Sequence, residues 1–512
     1  MTDPHTADAP TPTGRKVPDW VILAIACVAQ FMVVLDVSIV NVALPSIGRD
    51  LHYSPTGLQW VVNAYVLTFA GFLLLGGRAA DLFGRRRVYM FGLGLFTLAS
   101  LVGGFAQTTA WLTAARAAQG VGGAFLSPAT LTIIVTTFSG ARMAKALGIW
   151  SAVAGAGGAA GAILGGVLTA GISWRWVLFV NIPIGAAAMF AALTYLTEAR
   201  RPAGATAAVG QSGRKPRLDI AGAVTVTAGL GALIYAIVGT DTHPWGSTRT
   251  LAILAVAAVL LAVFAVIQLR VAATPLVPFR LFRSRAVSGA NLVMFLVGAA
   301  FFAFWYFMSL YLQNVLGYGA LKAGMAFVPM AVAIIVGAQV SARMLSRVGV
   351  RPGLVAGTLL AAGGFLWLSA IDAHSGYWSH IFGPGCLISL ALGLLFTPLA
   401  SAATSGVHYS EAGLASGVLN TSRQVGGSLG LAVLATVAID RTSSLLRHGD
   451  ANHAALTSGY SIAFVVAAGL CVVAFLSSLI VPALGSAPRG TTAPERSAAD
   501  QVDTPPIGAE MA

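Results

Sequence analysis

Charge is what this sequence has least of. Only 9% of its 512 residues are Asp, Glu, Lys or Arg, against 57% apolar ones. A chain of that length with so few charges cannot wrap a buried core in a polar surface, so a water-soluble globular protein is excluded and the bilayer becomes the solvent. Cysteine is scarce too. Cys27, Cys386 and Cys471 all lie inside apolar runs, which excludes a disulfide framework and leaves no metal-ligand spacing. The eight histidines fall in loops or tails, and no set of His, Cys and acidic residues has the spacing of a metal centre or a nucleophile triad. No catalytic residue, metal or cofactor is therefore expected, and the chain does not read as an enzyme. A phosphate-cradling glycine-rich loop ending in Lys and Ser or Thr is also missing, so ATP hydrolysis is not expected and an ion gradient must supply any energy used.

Long apolar runs are what the sequence has instead. Lipid offers the backbone no hydrogen-bond partners, so only helices of about 20 residues or closed barrels can cross it, and these runs have helical length without strand alternation. They predict spans near 20–44, 58–76, 88–105, 112–138, 146–170 and 176–196, then 220–239 and 251–269, then 286–310, 324–344, 353–371, 379–403, 413–439 and 459–484. The expected fold class is an all-α integral membrane protein with fourteen transmembrane helices in a 6+2+6 arrangement. Its parts would be a disordered N-terminus (1–16), a six-helix bundle (17–197), a polar linker (198–217), two bridging helices (218–270), a second six-helix bundle (271–484) and a disordered tail (485–512). The first apolar run has no cleavable look and is expected to be retained.

The net charge of +13 could suit nucleic acid, but the basic residues fall in alternate short loops, which speaks for membrane topology and against that partner. With both termini cytoplasmic, 22 of the 30 lysines and arginines lie in cytoplasmic segments. Six lie outside (Arg49, Arg175, Arg249, Lys322, Arg441 and Arg447), while Arg116 and Arg423 fall within helices. The two six-helix groups also share a glycine pattern. Gly123 and Pro128 recur as Gly393 and Pro398, while Gly148, Gly157, Gly158 and Gly161 recur as Gly417, Gly426, Gly427 and Gly430. Parallel repeats of this kind place a substrate site near the midplane, between halves that rock about it.

Five places carry candidate roles. Asp36, in LDVSIVNVALP, lies about 24 Å along the first helix at about 1.5 Å per residue, deep in the bilayer. A carboxylate there is costly unless paired or protonated, so it is a functional candidate, with a structural interhelical hydrogen bond as the plain alternative. Desolvation favours the protonated form of such a group and a nearby cation the ionised form, and a carboxylate held between them can exchange a proton. Arg116 and Gln119 share a face of the fourth helix, making Arg116 the natural partner of Asp36 unless it snorkels to an interface. After the second helix, Gly77 and Gly84 bound a turn holding Asp81 beside Arg85, Arg86 and Arg87. Asp81 can face a helix N-terminus or an arginine of the other half, and a contact made in one state only is a gate. Gly157, Gly161 and Gly165 form a small-residue packing stripe. Arg423 is a second intramembrane charge in need of a partner: an anionic or carbonyl-rich substrate, Asp36 across a cavity, or a structural contact. Asn41, on a different helical face from Asp36, and Gln119, Asn420, Arg423 and Gln424 are candidates for a substrate cavity.

The Gly77–Val88 loop resembles the signature loop of the major facilitator superfamily, departing from it at Ala79 and Leu82. LTAARAAQGVGGAF (Leu112 to Phe125) resembles the proton-coupling motif of facilitator antiporters. The glycine stripe resembles their antiporter motif, with Ala162 where that motif has proline. WRWVLFVNIPIG (Trp174 to Gly185), YLQNVLGYGALKAGMAFVP (Tyr311 to Pro329) and ASGVLNTSRQVGGSLG (Ala415 to Gly430) resemble the fourteen-helix drug/proton antiporter family of the EmrB/QacA type. The resemblance spans about residues 20–480. It implies alternating access in a bacterial plasma membrane, with proton antiport driving export of small lipophilic drugs, antibiotics or related metabolites. It also implies coupling by Asp36 and Arg116. A proton-coupled nutrient symporter and a non-transporting membrane sensor are the competing readings. Oligomeric state is left open, a monomer being compatible with everything above.

Overall fold

A computed structural model describes residues 18–196, 218–272, 275–405, 407 and 412–482. The expected N-terminal segment, the 198–217 linker and the 485–512 tail lie outside these residues. The described chain is helical, with no strand among the described residues. Its long helices are α1 (Asp19–Asp50), α2 (Trp60–Phe83), α3 (Arg85–Gly104), α4 (Thr109–Thr137), α5 (Gly140–Gly171), α6 (Asn181–Tyr195), α7 (Ile220–Val238) and α8 (Thr248–Val266). They continue as α9 (Arg285–Leu310), α10 (Val328–Val348), α11 (Val350–Leu368), α12 (Phe382–Thr404), α13 (Ala412–Arg447) and α14 (Asn452–Ser478). Among the described residues thirteen helical stretches are long and apolar enough to cross a membrane, and α5 adds a shorter apolar stretch over Ala156–Gly171.

Packing repeats with a period of eight helices. The pairs α1/α5, α2/α4, α3/α4, α1/α4 and α1/α6 recur as α9/α13, α10/α12, α11/α12, α9/α12 and α9/α14. The two groups meet along α2/α13, and α5 meets both α10 and the short helix Ala320–Ala326 before it. Glycines explain the closest approaches. A Cβ on Gly157 would meet Phe31 O at 2.9 Å, and one on Gly161 would meet Leu35 O at 2.8 Å. Their counterparts Gly426 and Gly430 press in the same way on Phe295 and Ala299 of α9. Gly84 and Gly349 turn the chain between α2 and α3 and between α10 and α11 with φ of +94° and +80°, a backbone region that penalises any residue with a Cβ. The second of these turns is a repeat signal that the glycine offsets above did not include.

Helix α7 lies against both α2 and α13, and α8 packs chiefly on α7. Several boundaries differ from those the apolar runs predict: α2 runs on to Phe83, α5 begins at Gly140 and α14 at Asn452, and two further extensions have a visible cause. Helix α1 continues through Pro45 to Asp50, because the Asn41 carbonyl that proline leaves without a helical donor is bonded from outside by Ser309, as membrane helices commonly manage. Helix α13 runs on to Arg447, where Arg441 donates to Ser458 Oγ and Thr442 to Ala455 O of α14. Apolar length sets the span, whereas packing on a neighbour sets where the helix stops.

Candidate functional site

Asp36 lies near the middle of α1 and is wholly buried. Among the described residues it is the only buried carboxylate. Arg116, from α4, is 2% exposed and pairs through Nη1 with Asp36 Oδ2. The same nitrogen donates to Gln119 Oε1 at 2.8 Å, and Arg116 Nε donates to the backbone oxygen of Val61 at 3.1 Å. Gln119 Nε2 donates to Asp36 Oδ1 at 2.7 Å and to Ser100 Oγ at 2.7 Å. Asn181 Nδ2, at the start of α6, reaches Asp36 Oδ1 at 3.1 Å. The guanidinium also stands 4.5 Å from the centre of the Tyr65 ring. Five helices of one group thus converge on one ion pair, both carboxylate oxygens and two of the three guanidinium nitrogens being hydrogen-bonded, the condition under which a buried pair survives desolvation.

Helical spacing puts Arg116 and Gln119 on one face of α4, and packing of α1 on α4 brings Asp36 to them, whereas Asn181, Ser100 and Tyr65 join through the packing of α6, α3 and α2. Asn181 does sit in the WRWVLFVNIPIG segment, and an amide in an apolar helix is a signal in itself. Asn181→Ala removes a donor to a charged group. The variant should lose about 1.5–3 kcal/mol of stability, read as a lowered unfolding temperature in detergent, whereas an exposed substitution such as Phe190→Ala on α6 (71% exposed) should change little.

The repeat carries this charge once. With Phe31 and Leu35 matched to Phe295 and Ala299, Asp36 corresponds to Ala300, and the offset linking Gly123 to Gly393 sets Cys386 opposite Arg116 and Ser389 opposite Gln119. The scaffold is symmetric and the ionisable chemistry is not.

Other sequence candidates lie apart from this pair. Asn41 donates through Nδ2 to Val37 O of its own helix. Arg423 donates to Asn420 Oδ1 at 2.9 and 3.2 Å and faces Phe396 at 5.8 Å. Among the described residues no carboxylate lies within ion-pair distance of it, and Asp36 is engaged elsewhere. Gln424 beside it is buried with its Oε1 unpartnered. Gln119 is 1% exposed, inside the ion-pair network rather than on an open cavity wall. The turn expected between Gly77 and Gly84 is helical instead: α2 runs through Gly77 to Phe83, and only Gly84, at positive φ, breaks the chain before α3. There Arg85 donates to Thr136 Oγ1 and Arg86 Nη2 to Leu193 O, both in the same half. Gly77 would place a Cβ 3.7 Å from Pro128. The side chain of Asp81 lies outside the described residues. A Cβ on Gly165 would meet Ile39 O at 2.8 Å, so the whole stripe packs on α1, while Ala162 and Gly166 face the Ala320–Ala326 helix. No group of three His, Cys, Asp or Glu residues among those described could hold a metal.

Comparison with known proteins agrees with this architecture. The family model described as Major Facilitator Superfamily matches residues 26–431. The chain is 44% identical to the cephamycin export protein of Amycolatopsis lactamdurans, over 96% of this chain and 98% of that protein. It is 39% identical to the puromycin resistance protein of Streptomyces alboniger, over 88% and 89%. Its fold is similar to that of a bacterial homologue of the human lysosomal transporter Spinster, with a TM-score of 0.61, 17% identity, and coverage of 90% of this chain and 97% of that one. A family model matching most of the chain, and relatives matched over nearly their whole length, place this multi-pass helical protein in the major facilitator superfamily of membrane transporters.

Proposed function

We propose that this protein exports small lipophilic compounds, of the kind represented by antibiotics, in exchange for protons. One observation carries the coupling: Asp36, the one buried carboxylate among the described residues, is held between a guanidinium and two side-chain amides. Ionised, it is neutralised by Arg116 and accepts from Gln119 and Asn181. Protonated, it becomes a donor and needs an acceptor, which an amide supplies by turning over. Asn181 Oδ1 and the Tyr65 hydroxyl oxygen are buried without partners among the described residues, so acceptors stand ready on this side of the network. Protonation would release Arg116 from its ion pair, leaving it to the Val61 carbonyl, Gln119 and the Tyr65 ring. The changed attraction among α1, α4 and α6 would bias the halves toward the other access state, because a ligand shifts an equilibrium only through its different affinity for the two states.

Export is supported by the names of the similar proteins, which describe cephamycin export and puromycin resistance. In this reading both termini are cytoplasmic in a bacterial plasma membrane, the two six-helix groups rock about a central cavity, and α7 and α8 bridge them. The Arg423, Asn420 and Gln424 cluster supplies polar contacts to substrate from the second half.

Proteoliposomes loaded with a pH-sensitive dye test the proposal. A transported antibiotic or lipophilic dye should move protons opposite to itself under an imposed pH gradient. Proton movement in the same direction as substrate would establish the symporter reading instead, and substrate movement without any proton flux would remove coupling from the account.

A further inference from the structure

The segment from Ser309 onward is unused by the proton site, yet it makes the polar contacts that tie α9 to α1 across the two halves. Pro45 has no N–H, so the Asn41 carbonyl four residues earlier lacks its helical donor. Ser309 Oγ, on the completely buried Ser309, donates to that oxygen at 2.6 Å. Gln313 Nε2 donates to the adjacent Val42 carbonyl at 2.9 Å and to Ser309 Oγ at 3.2 Å. Gln313 reaches them because α9 does not end as an α-helix: Tyr311–Val315 is a single π turn, closed by Leu316 N to Tyr311 O. A π turn inserts one residue into the helical register and re-aims the side chains on it.

We propose that Ser309 and Gln313 are a reversible latch: they hold α9 on the proline-freed carbonyls of α1 while the halves are joined at that end, and they let go when the halves part there. The acceptors suit this use. Val42 O also keeps its place in the α1 helix, and Asn41 O is exposed to a new partner, water included, once the halves separate. Side-chain donors on backbone carbonyls cost little to exchange for water, whereas a buried ion pair at the same place would resist opening. Near this contact a Cβ on Gly166 would meet Ala320 O at 2.7 Å, and one on Gly324 would clash with Ala162 O. That joint is apolar packing and carries no comparable donor, so the hydrogen-bonded latch is the part that substitution can weaken without creating a void or a clash. In the orientation proposed above this end faces outward.

This inference rests on alternating access, and its test separates the two. Spin labels at Arg49→Cys on α1 and Trp378→Cys ahead of α12, in a full-length protein with Cys27, Cys386 and Cys471 replaced by alanine, report the spacing of the halves at this end. Both positions are exposed. The parent should show a short and a long distance whose ratio responds to pH or substrate. Ser309→Ala and Gln313→Met each remove a donor, and Met keeps the length of the glutamine, so one variant remains informative if the other folds poorly. Combined or singly, they should raise the long-to-short ratio, by about tenfold for loss of both bonds, while the two distances themselves stay put. Two populations with a ratio unchanged in both variants would overturn the latch alone. A single distance in the parent under every condition would overturn alternating access and the latch with it.

Discussion

Asp36→Asn should reduce substrate-driven proton flux in proteoliposomes to that of protein-free vesicles, and it should also destabilise the protein. Both effects follow from the same geometry. Asparagine nearly matches aspartate in size, and its oxygen can still accept from Gln119 or Asn181, so the packing of α1, α4 and α6 is preserved. Its amide does not take up and release protons, and among the described residues no other buried carboxylate replaces it. Arg116, 2% exposed, is then left as a buried cation without its counter-charge, a change that costs about 3–5 kcal/mol. Arg116→Gln should do comparable damage from the other side. The double variant Asp36→Asn/Arg116→Gln removes both charges and should recover most of the lost unfolding temperature without recovering proton flux. Recovery of flux in the double variant would mean that the pair is structural and that protons travel elsewhere.

A second large effect is expected at Gly161. A Cβ there would lie 2.6 Å from Ser38 Cβ, 2.8 Å from Leu35 O and 3.0 Å from Ile39 N, so α5 meets the turns of α1 that flank Asp36. Two of those three atoms are backbone and cannot rotate away. Gly161→Val must push the helices apart, also disturbing the bond from Ser38 Oγ to Gly158 O at 2.6 Å, and overpacking of this kind costs about 1–3 kcal/mol or more. Because the displaced segment carries Asp36, transport should fall further than stability alone would require. Gly148→Ala is the control. Nothing lies within 4 Å of a Cβ at Gly148, and alanine there should be neutral or stabilise the helix by up to about 1 kcal/mol. Measured unfolding temperatures that rank the two substitutions equally would show that the stripe is not a packing surface.

The apolar runs, the alternation of basic loops and the glycine spacing were enough to expect a helical membrane protein with an internal repeat, because lipid leaves the backbone so few options. Asp36 and Arg116 were legible for a related reason: an ionisable group deep in an apolar helix is too costly to be incidental. Two opposite charges inside apolar helices made each the natural partner of the other, but the alternative, Arg116 reaching out to an interface, was closed only by the packing of α1 on α4. The remainder of the site was another matter. Asn181, Ser100 and Tyr65 are ordinary residues in their own segments, and only the convergence of α6, α3 and α2 on α1 brings them to the ion pair. The latch is more hidden still: Pro45 and Gln313 lie 268 positions apart, and nothing local to either says that one frees a carbonyl that the other's neighbourhood bonds. Sequence by itself determined which stretches had to be helices and which charges had to be explained, because those follow from solvation along one chain. Tertiary structure decided which polar groups answer those charges and which contacts can open, because hydrogen-bond partners between distant helices depend on packing angle and depth, to within a fraction of an ångström, and no spacing along the chain encodes them.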